Sequence, residues 1–163
     1  PPLAATPLAR LAEPHLRILT DRIRETAYLA ALTETGDEIQ CTARVTAHHV
    51  MRVDIPLGTR RPATTDTAVG RVLLSHAHAG SDSDDDLGYA LADEEWEQGV
   101  RTLAVPIHDR TGRTIAALAT STHTARRTAE DCVDTLLPAL TTTATHIEAA
   151  LHTASRFTPV PVT

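Results

Sequence analysis

The chain has 163 residues, 42% hydrophobic and 22% charged, with a formal net charge of -6. That is enough apolar material for one well-packed core burying roughly 70% of the unfolded surface. All its basic residues are Arg, as GC-rich coding would produce, and the acidic balance lacks the basic stripe that phosphate binding needs. Cys41 and Cys132 stand in no CxxC or zinc-finger spacing, and neither a spanning apolar run nor a secretion signal is found. A soluble protein of the reducing cytoplasm, away from membranes, is therefore expected. The sequence opens PPLAATPLARL without a Met, which reads as a processed or truncated chain.

Leu16, Ile18, Leu19 and Ile23 fall mostly at helical spacing, and Pro14 suits a first turn, so a helix is predicted over residues 13–23. Residues 25–32 (ETAYLAAL) and 38–45 (EIQCTARV) are rich in strand formers and flank Gly36, which predicts a hairpin. Residues 50–55 alternate Val50, Arg52 and Asp54 against Met51, Val53 and Ile55, the pattern of a further strand ending at Pro56. After the loop PLGTRRPATT, Asp66 can cap a short helix through Val69, Val72, Leu73 and Leu74, with Gly70 permitting close packing.

Residues 76–86 (HAHAGSDSDDD) are too polar and acidic to order themselves and read as a mobile loop. Residues 100–107 and 114–119 flank DRTGR, a second hairpin turn carrying Gly112. From 129 to 152, Val133, Leu136, Leu137, Leu140, Ala144, Ile147 and Leu151 form one stripe of a long helix that Pro138 should kink. Helices and strands segregated in this order predict an α+β fold with an antiparallel sheet.

Catalytic and metal chemistry finds little support. His48 and His49 with Asp54 would sit on opposite faces of a strand edge, and His76 and His78 beside Asp82, Asp84, Asp85 and Asp86 read as a solvated loop. GxSxG, HExxH and GxxxxGK[ST] are all missing. The carboxylates of DEEWEQ, residues 93–98, fit an exposed turn in which Arg101 pairs with a nearby Glu. Trp96 is one of four aromatic residues, too few for a base-stacking platform. What remains is a pocket between sheet and short helix, able to orient an organic acid by helix-start amides, hydroxyls and an arginine, with Arg60 and Arg61 just ahead of that helix.

The segments LAEPHLRILTDRIRETAYLAAL, LGTRRPATTDTAVGRVLLS and GYALADEEWEQGVRTLAVPIHDRTGRTIAALATS, in this order, resemble the effector-binding domain of the IclR family of bacterial transcription regulators. Gly88, Tyr89, Asp93, Glu94, Glu95, Gly99, Val100, Arg101 and Gly112 carry the most specific part of the pattern. The resemblance implies a GAF-like domain over 13–155 with a long C-terminal helix. It makes residues 1–12 the remnant of a linker from a winged helix-turn-helix DNA-binding domain, and residues 156–163 a tail. It also implies homodimers or tetramers, a small carboxylate effector, and neither enzyme activity, metal nor cofactor.

Carried across by motif, the effector contacts are Val50, Val53, Arg61, Ala68, Val69, Ala92, Thr102, Ala119 and Ser121. Ala92 and Ala119 replace residues that are polar in several family members, which favours a larger or more apolar, aromatic acid. Two departures stand out: the segment between the LLS helix and the GY strand is short, and one extra residue lies between Pro62 and Gly70. They leave open a second reading, a GAF-like dimerisation or scaffold domain with a degenerate pocket.

Overall fold

The structure, a computed structural model, describes residues 7–49, 52–75, 88–94 and 97–163. Helix α1 (Leu8–Ile23) starts at Leu8, inside the segment read as linker, and Pro14 lies in its second turn and not its first. Proline removes one backbone donor there. Leu8 and Ala12, both fully buried, make the earlier turn favourable. Arg24, in the left-handed region at φ 62°, ends the helix by donating its N–H to Thr20 O.

Strands β1 (Thr26–Leu32) and β2 (Glu38–Val45) form the predicted hairpin around Gly36, whose φ of 76° suits glycine. The expected strand at 50–55 is not found in its described part. Residues 52–56 take no strand, although Val53 and Ile55 are buried while Arg52 and Asp54 are exposed. The free edge of β2 is instead occupied by β3 (Arg60–Pro62), with Ile39 opposite Arg61, and by bonds from Cys41 to Thr59 and Gly58. Residues 52–56 cross beside β1, where the Thr26 hydroxyl donates to Val53 O at 2.6 Å.

Helix α2 (Ala68–Leu74) is capped by Thr67, not Asp66. A cap oxygen has to reach the amide of the third helical residue. Thr67 Oγ1 does so, accepting from Gly70 N at 2.9 Å, and Asp66 lies one position too early. Gly70 sits so close to the incoming loop that an added Cβ would lie 1.8 Å from Thr64 O.

Strands β4 (Ala90–Asp93), β5 (Val100–His108) and β6 (Thr114–His123) follow, and β6 runs past the predicted end at 119. The sheet is antiparallel throughout its described pairings, in the order β3-β2-β1-β6-β5-β4. The chain closes with α3 (Ala129–Asp131), a π-helical turn (Cys132–Leu136) and α4 (Leu137–Ala154). The π turn is the form taken by the irregularity expected at Pro138. Proline cannot donate to Asp134 O, and its ring would crowd that carbonyl in an α-turn. The chain widens there, so that Leu137 N bonds to Cys132 O.

Alternation along the strands sorts two cores. Ala27, Leu29, Leu103, Val105, Ile107 and Leu118 face α1 and α4, whereas Tyr28, Ala30, Ala104, Ala117 and Ala119 face α2. Val160 and Val162, in the segment read as a tail, pack on the first core, and Leu8 N bonds to Pro161 O at 2.8 Å. The polar segment 76–86 lies outside the described residues.

Gly70→Ala should lower stability by about 1–3 kcal/mol, since the added methyl meets backbone that must shift, and Thr67→Ala by about 1 kcal/mol from the lost cap. Urea unfolding monitored by circular dichroism checks both. An unchanged midpoint for Gly70→Ala would refute the close approach.

Candidate functional site

The face covered by α2 carries an unusual polar group. Antiparallel pairing sets Thr26, Ser121 and Thr102 opposite one another on β1, β6 and β5, and Tyr28 lies two residues further along β1 on the same side. Thr102 and Ser121 share a hydrogen bond of 2.8 Å, and Ser121 donates to Tyr28 Oη at 3.4 Å. All three are 0% exposed. Their surroundings on this face are alanines and aliphatic side chains.

Of the residues expected to contact an effector, Val53, Ala68, Val69 and Ala119 are buried in this one core, and Ala92 packs against it, half-buried. Ala92 lies opposite Thr102, and Thr102 opposite Ser121. Val50 lies outside the described residues. Arg61 is exposed on the edge strand and stands apart. It lies opposite Ile39, which lies opposite Leu32, whereas Ser121 lies opposite Thr26. Ordinary strand spacings then separate Arg61 from Ser121 by about 14 Å across the sheet and about 20 Å along it.

Sequence reasoning missed Tyr28 and Arg71. Residue 28 sits in an apolar run whose two faces cannot be told apart without the partner strands. Arg71, half-buried on α2, donates from Nη2 to Leu91 O at 2.6 Å, one residue from Ala92. Its guanidinium therefore lies beside the group of residues from which Arg61 is remote. No spacing within the helix points to this contact, which the approach of β4 creates.

The acidic turn is structural in its described part. Asp93 pairs with Arg101, its cross-strand partner, at 2.7 and 3.2 Å, where a Glu had been expected. Glu94, at φ 62°, accepts from Gly99 N at 2.8 Å. Glu95 and Trp96 lie outside the described residues, as do His76, His78 and the nearby aspartates. His49 Nε2 lies 2.8 Å from Arg24 O, and no metal-binding group of three or more side chains occurs among the described residues.

A second polar cluster, unread in the sequence, occupies the end of the sheet nearest α3. Glu25, 1% exposed, accepts from Arg126 and Arg127 at 3.1 Å, and Arg127 also pairs with Asp131 at 2.9 Å and donates to Ile23 O. It ties the start of β1 to the turn after β6.

Comparison with known proteins sorts these features. The model of the family described as bacterial transcriptional regulator IclR C-terminal matches residues 85–149. The Pca regulon regulatory protein of Pseudomonas putida is 34% identical over 167 residues, covering 85% of this chain and 56% of that protein. A Rhodococcus sp. RHA1 structure described as a transcriptional regulator superimposes with a TM-score of 0.79 at 34% identity, covering 91% of this chain and 70% of that one. The chain belongs to the IclR family, as its C-terminal domain.

The antiparallel sheet and long last helix are thus the GAF-like arrangement of IclR C-terminal domains. The inducer-binding domain of the Acinetobacter PobR transcription factor, a double mutant in complex with 3-hydroxybenzoic acid, matches at 27% identity and a TM-score of 0.71, covering 86% of this chain and 97% of that domain. The matched relatives are transcription regulators and not enzymes. This chain spans about half the length of the curated relatives it matches most fully. No helix among the described residues is long and apolar enough to cross a membrane.

Neither thiol adds chemistry near neutral pH. Burial pushes Cys41 up to about 11 against the pull of the Arg44 charge, and burial raises Cys132 too, opposed by Arg101 and Arg127. Because the thiolate is the nucleophile, iodoacetamide at pH 8 should leave both cysteines unmodified in the folded protein and alkylate both in denaturant. Mass spectrometry reads the result, and rapid labelling of the native form would contradict the burial.

Proposed function

We propose that this chain is the effector-sensing part of an IclR-type regulator, binding a small organic acid on the face between the sheet and α2. The buried hydroxyls of Tyr28, Ser121 and Thr102, set in an otherwise apolar core beside Val53, Ala68, Val69, Ala92 and Ala119, carry this reading. Apolar surroundings with a few convergent polar groups are the make-up of small-molecule sites. The likeness to the PobR inducer-binding domain supports an aromatic acid. The acid group faces Arg71, which reaches the same side of the site as Ala92.

In the whole regulator, a cytoplasmic homodimer or tetramer, the domain passes effector occupancy to an N-terminal DNA-binding domain. Effector acts only by binding one arrangement of the subunits better than another, because differential affinity alone shifts such an equilibrium. The full burial of the hydroxyls favours one other reading: a pocket that stays closed, leaving a dimerisation or scaffold domain.

Isothermal titration calorimetry against a panel of small aliphatic and aromatic acids separates the two. Binding supports sensing, and a folded domain that binds none of them supports the scaffold. With a binding acid in hand, Arg71→Gln should weaken affinity at least about tenfold, the worth of a charge-assisted hydrogen bond. Arg61→Ala should change it less than about twofold, as its distance from the hydroxyls requires. The reverse order would move the acid group to the β3 edge.

A further inference from the structure

Strand β2 is covered along only the first half of its outer edge. Strand β3 pairs with residues 38–40, and Thr59 and Gly58 bond to Cys41. Beyond Cys41, no strand among the described residues continues that pairing. Residues 52–56 turn instead toward β1, where Thr26 donates to Val53 O. A groove of about 500 Å³ runs beside the uncovered half, between Arg10 and Glu13 of α1 and Thr42, Ala43, Arg44 and Leu57. Successive residues of a strand point to opposite faces, so a groove on one face meets alternate residues. Thr42, Ala43 and Arg44 all border this one, which sets it along the edge of the strand. An edge without a partner strand is a template for adding one, and peptide-binding domains use it so.

Charge narrows what such a strand carries. In a chain of net charge -6, Arg10, Arg44, His48 and Arg52 border this groove and the one that adjoins it at Arg44, against Glu13 and Asp54. Both of those acids are already paired, Glu13 with Arg17 at 3.0 Å and Asp54 with Arg44 at 2.9 Å. Arg10 and Arg52, both exposed, have no acidic partner among the described residues. A second copy of β2 laid on this edge would set its own arginines against these, and like charges across a strand pair are destabilising. An acidic strand meets the opposite charge. Leu57, 61% exposed, offers contact to an apolar side chain of the same strand.

We infer that the uncovered half of β2, from Thr42 to Val45, is a docking edge for an extended acidic segment of a partner protein, which joins the sheet as a strand in the groove beside α1. Main-chain bonds along β2 hold the segment, Arg10 and Arg44 face its carboxylates, and Leu57 packs on an apolar side chain. This edge does not depend on the sensing role proposed above.

The test is fluorescence polarisation on the whole chain with a labelled short peptide of alternating aspartate and valine, blocked at both ends. Its lysine and valine counterpart, and two versions methylated at alternate main-chain nitrogens, are the comparisons. The acidic peptide should bind at least about tenfold tighter than the lysine one, because its charge complements the groove. Methylating one alternate set of nitrogens should abolish binding and methylating the other should change it less than about threefold, since only every second residue of an added strand bonds to the edge. Arg10→Glu should weaken the acidic peptide at least about fivefold, and Arg22→Glu, the same charge change on α1 outside the groove, less than about twofold. Circular dichroism checks that both variants fold.

Equal binding of the acidic and lysine peptides, equal losses from the two methylated sets, or equal effects of the two variants would overturn the docking edge. So would a wild type that does not bind the acidic peptide at about 1 mM. If sedimentation shows a dimer that the peptide dissociates, the occupant is a second copy of this chain, and the assignment to an acidic partner falls.

Discussion

The pairing of β1 with β6 is the constraint on which the rest of this domain depends. Thr26–Ala30 lie along Ala117–Ser121, residues some ninety positions apart in the chain. The pairing joins the hairpin at one end of the sequence to the hairpin at the other and makes both strands interior to the sheet. Closing so long a loop costs entropy, which burial repays. Six of the seven residues of β1 are buried, as are seven of the ten of β6. A sheet buried on both faces can tolerate little polarity, so the polar groups it retains are informative.

That seam also assembles the candidate site. Tyr28 comes from one half of the chain, Ser121 and Thr102 from the other, and only the β1–β6 register brings the three hydroxyls within hydrogen-bonding distance. Helix α2 covers them because Gly70 lets it lie against Thr64, and Thr67 starts the helix at the right residue. On the opposite face the cover is α1 with α4, drawn together with the returning segment at Pro161. One face thus carries the two long helices, and the other carries the buried hydroxyls under α2.

The charged groups follow the same economy. Asp93 and Arg101 close the acidic turn across one strand pair, and Glu25, buried, is paired with Arg126 and Arg127. Asp93 and Glu94, from the acidic run that drew attention in the sequence, serve the turn, and Glu25, which the sequence did not single out, serves the sheet end. The site uses uncharged hydroxyls, with one arginine at its margin.

Much of this was legible in the amino-acid order. Strand-forming composition beside the turn glycines Gly36 and Gly112 located β1, β2 and β5, and helical spacing located α1, α2 and the C-terminal helix, because burying one side of a helix leaves its mark on neighbouring residues. The family motifs identified the domain, and alternation predicted which of residues 52–55 turn inward. Strand β3 and the missing strand at 52–56 escaped, since Arg60 and Arg61 are a strand only because the edge of β2 accepts them. The earlier start of α1 escaped too, since it is decided by what Leu8 and Ala12 pack against. The sequence by itself therefore determined the elements and the family. The tertiary structure alone decided that Tyr28 meets Ser121, that Arg71 lies near Ala92 and that Arg61 stands far off, because these are matters of register between strands that no local spacing records.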